Sequence, residues 1–211
     1  MYLSGIKNYL TTALILILLS LVLRLTVSAA HKTFLQQGIA EEVLRFHVLA
    51  NSDSEEDQEM KLLVRDQAVS WMEETVAAAE REKGRELSRD EVAALMKENL
   101  SDLEHTANQV LLEQGADYGA RASLEDCYFP KRTYGACTFP AGWYQALRLR
   151  LGEAKGQNWW CVLYPKLCFT DSLHAVVPEE EMEKLEEVLT VQEYESLFET
   201  PEDWKISFRW F

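Results

Sequence analysis

The feature that most constrains this chain is an apolar run at its N-terminus. Lys7 precedes residues 10–23, which are apolar apart from three hydroxyl side chains, and a short run of small residues follows. Basic, apolar and small residues in that order are typical of a secretory signal peptide. Read on past Arg24, the stretch reaches the roughly 20 residues that a spanning helix needs, so a retained anchor is the alternative. We predict a signal peptide or membrane anchor over residues 1–30 and an extracytoplasmic domain over residues 31–211.

The charge of the chain excludes some classes of partner. The sequence has 21 Lys and Arg against 35 Asp and Glu, a net charge of -14, and residues 1–30 contain two basic residues and no acidic one. A negative field repels phosphate backbones and anionic headgroups. We therefore predict no nucleic-acid partner, and membrane contact only through residues 1–30. A basic or neutral protein partner stays open, as does the interpretation that the acidity only confers solubility.

Four cysteines fall in the second half of the chain: Cys127, Cys137, Cys161 and Cys168. An even number of cysteines in an exported chain favours disulfides. Of the three possible pairings we predict the neighbour one, Cys127 with Cys137 and Cys161 with Cys168. Buried free thiols are the alternative. Neither pair has the spacing of zinc ligands, so no metal and no cofactor is predicted.

The order of apolar patterns predicts an α+β fold in a single domain. With 47% hydrophobic residues, the exported part is long enough to fill one core. Alternating patterns predict strands, and apolar residues every three or four positions predict helices. We expect a mainly antiparallel sheet with helices packed on one face, behind the N-terminal hydrophobic helix. The predicted strands are 41–51, 120–127, around 136, 144–151, 159–164 and 204–211, and the predicted helices are 54–79, 88–115, 178–188 and 191–198.

Polar residues after the first predicted strand suit a helix start better than a calcium site. Ser54 is an N-cap residue, and acidic side chains follow it where they face the positive end of a helix. The glycine that a calcium-binding EF-hand loop needs is replaced by Glu56, and the final ligand position is Leu62.

One catalytic interpretation is open to the sequence. Cys161 is a candidate nucleophile of a cell-envelope thiol hydrolase, with His47 or His174 as its base. Against it, Cys161 lies in an apolar run, and buried cysteines are normally inert. No other set of residues predicts a catalytic site.

Two long motifs resemble one known family. The first covers residues 45–54 and continues through residues 57–66, and the second covers residues 139–168 with Phe-Pro-Ala-Gly-Trp-Tyr and Asn-Trp-Trp-Cys-Val-Leu-Tyr-Pro within it. Together they are similar to stage II sporulation protein R, and the likeness spans most of residues 40–170. The tail after Asp171 carries no recognised motif.

The resemblance implies a signalling protein that is not an enzyme. Members of the family are exported across the forespore membrane into the intermembrane space, and this chain either leaves that membrane or stays anchored in it. There they bind and activate a membrane-embedded aspartic protease on its extracytoplasmic face, and the protease triggers proteolytic activation of the mother-cell sigma-E factor. We predict a partner-binding surface from Arg45, His47, Asn51, Asp53, Asp57, Lys61, Arg65, Trp159 and Trp160. The alternative for Arg65 is an internal ion pair with Asp66.

Overall fold

The computed structural model describes residues 2–134, 136–166 and 179–198, of which residues 2–10 and 179–181 are described by their backbone alone. The predicted strand at 204–211 lies outside these residues. Cys168 and His174 also lie outside them. Six helices and six strands occupy the described part. They are α1 (Tyr2–Glu42), β1 (Leu44–Leu49), α2 (Glu55–Lys83), α3 (Arg89–Glu98), α4 (Leu100–Glu113), β2 (Ala120–Phe129), β3 (Arg132–Tyr134), β4 (Cys137–Phe139), β5 (Gly142–Leu151), β6 (Asn158–Tyr164), α5 (Glu179–Val188) and α6 (Val191–Ser196).

The first helix carries the apolar N-terminus and runs on into the domain. α1 has 41 residues. Its part from Thr11 to Glu42 is long enough to cross a membrane and contains an exposed 18-residue window with a mean hydropathy of 2.4. A signal sequence and a retained anchor share these properties. The helix continues past residue 30 to Glu42, and Ile39 near its end is fully buried in the domain.

A mixed four-stranded sheet forms the centre of the domain, in the order β2-β5-β1-β6. β1 runs parallel to β5 and antiparallel to β6, and β2 runs antiparallel to β5. β3 and β4 form a separate hairpin. The predicted α+β class and the mainly antiparallel sheet are confirmed.

Local signals start and end the helices. Ser54 caps α2 by accepting a hydrogen bond from the backbone N–H of Asp57, and Gly84, with a φ of 67°, ends it. Ser88 and Glu91 form a reciprocal capping box at α3. The single helix predicted over 88–115 is two helices, because the side chain of Asn99 donates to the carbonyl of Leu95 at the junction and competes with the helical backbone pattern.

One face of the sheet is covered by α2, α3 and α4. The side chains of Leu44, Phe46 and Val48 alternate along β1 onto this face and are fully buried. A stripe on α2 with helical spacing packs against them, because every third or fourth residue falls on one side of a helix. Its members are Met60, Val64, Ala68, Met72 and Val76.

The other face is only partly covered. Ile39 of α1, Phe139 of the hairpin and Leu185 and Leu197 near α5 and α6 pack on it and are buried. Helices therefore lie on both faces of the sheet, whereas the sequence predicted one covered face. Toward the C-terminal end of β1, this second face carries His47 of β1 and Arg148 and Arg150 of β5.

The neighbour pairing of the cysteines is wrong for Cys127 and Cys137. Both are buried free thiols, and so is Cys161, whose predicted partner Cys168 lies outside the described residues. Cys127 belongs to the four-stranded sheet, whereas Cys137 belongs to the hairpin, where its Sγ lies 3.3 Å from the Sδ of Met182. The hairpin thus directs Cys137 toward α5, away from a bond with Cys127.

Candidate functional site

The nine predicted site residues do not form one continuous surface. They fall into three groups that the sheet separates. Asn51, Asp53, Asp57 and Lys61 lie at the C-terminal end of β1, Arg65 and Trp159 lie on the face covered by helices, and Arg45, His47 and Trp160 lie on the opposite face. Their role in partner binding stays a prediction.

The first group fastens the turn after β1 to the turn after β5. Asn51 Oδ1 accepts a hydrogen bond from the backbone N–H of Glu153 at 2.9 Å, and Asp53 Oδ1 accepts one from that of Gln157 at 2.7 Å. Lys61 Nζ donates to the carbonyl of Gln157 at 3.1 Å. We call the residues 51–61 and 152–157, joined in this way, the clasp. Its hydrogen bonds satisfy backbone groups that the sheet leaves free.

Asp57 is the polar centre of the clasp and is only 8% exposed. Its carboxylate accepts hydrogen bonds from the Asn51 amide at 3.0 Å, from the Ser52 hydroxyl and from the Tyr118 phenol. Burial alone would raise the pKa of Asp57, but the hydrogen bonds from Ser52, Tyr118 and Asn51 outweigh burial and lower it. Tyr118, which the sequence did not single out, has its pKa raised by burial and by this carboxylate.

Arg65 packs against Trp159 on the helix-covered side. Its guanidinium carbon lies 5.3 Å from the centre of the Trp159 ring, and its Nε donates to Asp66 Oδ1 at 2.7 Å. Arg65 and Asp66 thus form an ion pair, but not the internal one that the sequence allowed. Asp66 is 61% exposed, so the pair is a surface one with little effect on stability.

Arg45 is fully buried inside a box of aromatic rings. Its guanidinium carbon lies between 4.5 and 5.6 Å from four ring centres, those of Phe129, Phe139, Tyr144 and Tyr134. Its Nη2 donates to the Tyr134 hydroxyl at 3.0 Å. Aromatic faces attract a cation, and the attraction strengthens when water is excluded. Arg45 is thus a core residue of the second face and reaches no solvent.

His47 lies next to this box and is 3% exposed. Its ring stacks on Trp160 with a centroid distance of 5.0 Å and an interplanar angle of 13°. Burial, followed by the charge of Arg148, lowers the pKa of His47 to about 3. The imidazole is therefore neutral at physiological pH, and among the described residues neither ring nitrogen has a hydrogen-bond partner.

The structure does not bring Cys161 and His47 together. Cys161 pairs with Phe46 across β1 and β6 and points into the helix-covered core, whereas His47 pairs with Trp160 and points to the other face. The backbone of the sheet lies between the thiol and the imidazole. Cys161 is 4% exposed. Within the described part of the chain, no group of three or more His, Cys, Asp or Glu is arranged to hold a metal ion.

Comparison with known proteins assigns the chain to a family. The model of the family described as stage II sporulation protein R matches residues 40–174, more than half of the chain. The chain belongs to the stage II sporulation protein R family. The matched residues include β1, the clasp, the Arg45 box and β6, and they leave out the apolar part of α1 and the helices α5 and α6.

A curated member of the stage II sporulation protein R family gives the same result. The chain is 30% identical over 150 residues to stage II sporulation protein R of Bacillus subtilis (strain 168). The alignment covers 69% of this chain and spans 62% of the length of that relative. No solved structure matches the chain.

Proposed function

We propose that this member of the family is an exported sporulation signalling protein. In this proposal it binds the extracytoplasmic face of a membrane-embedded aspartic protease and activates it, and the protease then triggers proteolytic activation of the mother-cell sigma-E factor. The match of the family model to residues 40–174 carries the proposal. The exposed apolar stretch of α1 supports export across the forespore membrane into the intermembrane space.

The geometry around Cys161 favours a binding role over the rival hydrolase. A thiol nucleophile needs a base within hydrogen-bond reach and access to substrate. Cys161 is buried, and its Sγ contacts the carbonyl of Val162. His47 points to the opposite face of the sheet, and its low pKa makes it a poor proton acceptor at neutral pH. The other candidate base, His174, lies outside the described residues.

Activation by binding needs no covalent step. A ligand shifts a protein between two states only to the extent that it binds one of them more tightly. Moving a protease from about 1% to about 99% active requires about 10⁴-fold tighter binding to the active state. A domain held rigid by its clasp and its core is suited to this task, since little of its binding free energy is lost in ordering.

The proposal is tested by reconstitution in a heterologous bacterium. The full chain is co-expressed with the membrane protease and the sigma-factor precursor, and cleavage of the precursor is followed by immunoblot. We expect cleavage only when the full chain is present. Equal cleavage with and without the chain would refute activation.

Two variants test whether activation depends on the apolar part of α1 and on the thiol of Cys161. Leu16→Arg with Leu19→Arg places two charges in the apolar part of α1 and opposes membrane insertion, so we expect no activation. Cys161→Ser removes the thiol and changes nothing else in the chain. If the protein acts by binding, we expect this variant to activate the protease whenever it is present at normal abundance. Loss of activation by Cys161→Ser at normal protein level and with a normal melting temperature would favour the hydrolase.

A further inference from the structure

Next to the Arg45 box, one row of side chains crosses all four strands on the second sheet face, half-buried at Arg148 and buried at His47. Ser123 of β2 pairs with Arg148 of β5, Arg148 pairs with His47 of β1, and His47 pairs with Trp160 of β6. Residues paired across neighbouring strands point to the same face. These four side chains therefore form one line across the sheet, next to the Arg45 box.

Neighbouring rows add a second guanidinium and one carboxylate. Arg150 lies one row further out, and Glu125 lies in the row of Arg45. Glu125 Oε1 accepts a hydrogen bond from Arg148 Nη1 at 3.1 Å and lies 3.4 Å from Arg150 Nη2. Arg150 Nη2 also donates to the Ser123 hydroxyl at 3.0 Å. We call His47, Ser123, Glu125, Arg148 and Arg150 the arginine face.

Positive charge is in excess on the arginine face. Two guanidinium groups share the single carboxylate of Glu125, and Arg45 adds a third cation below them. The side chains of Arg148, Arg150 and Glu125 are 28%, 37% and 38% exposed, so they are half-buried and water screens them only in part. A local positive site in a chain of net charge -14 is not explained by solubility.

Several polar atoms of this face lack a partner. The Nε atoms of Arg148 and Arg150 and both ring nitrogens of His47 are buried and make no hydrogen bond to the described residues. Buried donors without partners are rare in native proteins because they lose their bonds to water. His47 is nine-tenths buried and faces the same side of the sheet as the arginines. These atoms are buried, so a bound group reaches the half-exposed guanidinium groups of Arg148 and Arg150, where positive charge is in excess.

A carboxylate is the group that fits this arrangement. Guanidinium groups bind carboxylates with short, charge-assisted hydrogen bonds, and a half-buried site strengthens them. We propose that the arginine face is the docking site for an acidic segment of the partner protein. This inference rests on the proposed function only in that the ligand belongs to a protein partner. The net negative charge of the chain repels polyanions in general, so binding of an acidic segment depends on the local charge of these arginines.

Binding of a defined probe tests the inference without the protease. The full chain in detergent micelles is titrated into fluorescein-labelled hexaglutamate at low salt, and fluorescence anisotropy is recorded. We expect saturable binding, and we expect Arg148→Gln with Arg150→Gln to weaken it at least about tenfold. A net charge of -14 would repel hexaglutamate in the absence of a dedicated site.

A gain of binding separates the proposal from simple misfolding. Glu125→Gln removes the carboxylate that occupies both arginines, so we expect about two- to fivefold tighter binding of hexaglutamate. The matched control is Lys97→Gln with Lys155→Gln, which removes the same charge from exposed side chains elsewhere. Its affinity should change less than about twofold. Absence of saturable binding, or equal loss in the control and the arginine variant, overturns the inference.

The same variants in the reconstitution assay distinguish the two proposals. If the wild-type chain activates the protease and the arginine variant does so equally well, the inference fails and the proposed function stands. If the wild-type chain fails to activate the protease, the proposed function fails, and the hexaglutamate titration still decides whether the arginine face binds an acidic segment.

Discussion

Asp53 Oδ1 accepts a hydrogen bond from the backbone N–H of Gln157, joining the turn after β1 to the turn after β5 over 104 residues of sequence. Gly156, the residue before Gln157, donates its own N–H to the carbonyl of Ala50 at 3.0 Å. The two turns are so close here that a Cβ atom on Gly156 would lie 2.0 Å from the carbonyl oxygen of Ser52. Only glycine fits this position without moving the backbone.

Gly156→Ala is expected to lower the free energy of unfolding by about 1–3 kcal/mol, because the added methyl group forces the two turns apart. Urea denaturation of the full chain in detergent measures the change. Glu153→Ala in the same turn is the control, since its side chain is 69% exposed, and it should stay within about 0.5 kcal/mol of wild type. Equal midpoints for Gly156→Ala and wild type would show that the clasp is looser than described.

Asp57→Asn should destabilise the domain by about 1–3 kcal/mol at pH 7, since three hydrogen-bond donors lose their ionised acceptor. The pKa of Asp57 is lowered in the folded protein, so its contribution is complete above the ordinary value of 3.8 and is lost as pH falls through the folded pKa. The difference between the melting temperatures of the two proteins should therefore be smaller at pH 3 than at pH 7. A constant difference would contradict the assignment.

His47 makes a separate contribution to acid sensitivity. Its pKa falls from 6.5 to about 3 on folding, so the unfolded chain takes up a proton between these values and the folded chain does not. Stability should be highest above pH 6.5 and should decline as pH falls toward 3, by at most about 1.4 kcal/mol per pH unit. His47→Gln should flatten this decline. An NMR titration that places the pKa of His47 near 6.5 would disprove its burial.

Arg45 offers a test of a buried cation. Arg45→Met keeps a long side chain within the four rings and removes a charge held without water, so we expect stability within about 1 kcal/mol of wild type. Arg45→Ala leaves a cavity there and should cost about 2–5 kcal/mol. Urea denaturation of the two variants compares them. Equal losses for Met and Ala would mean that the charge itself stabilises the box.

The thiols of Cys127 and Cys137 should be unlinked and unreactive in the folded protein. Burial raises the pKa of both, that of Cys137 to about 11, so little thiolate forms at neutral pH. We expect iodoacetamide to modify them only after denaturation, as seen by mass spectrometry without reduction. A peptide linking Cys127 to Cys137 would contradict the structure.

Helix starts could be predicted from the sequence because their signals are local. Ser54 and Ser88 cap α2 and α3 as expected, since each cap depends only on residues three positions away. The parallel pairing of β1 with β5 could not be predicted, because it joins residues about 100 positions apart and no short motif records it. The packing of α1, α5 and α6 on the second face escaped prediction for the same reason.

The sequence identified the polar residues of the clasp but not their role. Asn51, Asp53 and Asp57 follow a strand, which is typical of exposed binding residues and of turn residues alike. The partners of Asn51 and Asp53 are backbone N–H groups of the turn after β5, and a partner of Asp57 is the distant Tyr118; these groups become adjacent only when the domain folds. Arg148 and Arg150 alternate with Leu147, Leu149 and Leu151 in the sequence, but Glu125 and His47 join them only through strand register.

α1 joins the apolar N-terminal stretch to the domain as one continuous helix. No break interrupts the helix before Glu42, and the Gln36 amide donates to the carbonyl of Trp143 in β5, so helix and sheet are braced together. Residues 31–42 form a rod of about 18 Å at 1.5 Å per residue. While α1 is intact, the distance between its apolar stretch and the sheet is therefore set by the helix, and cleavage of α1 would remove that constraint.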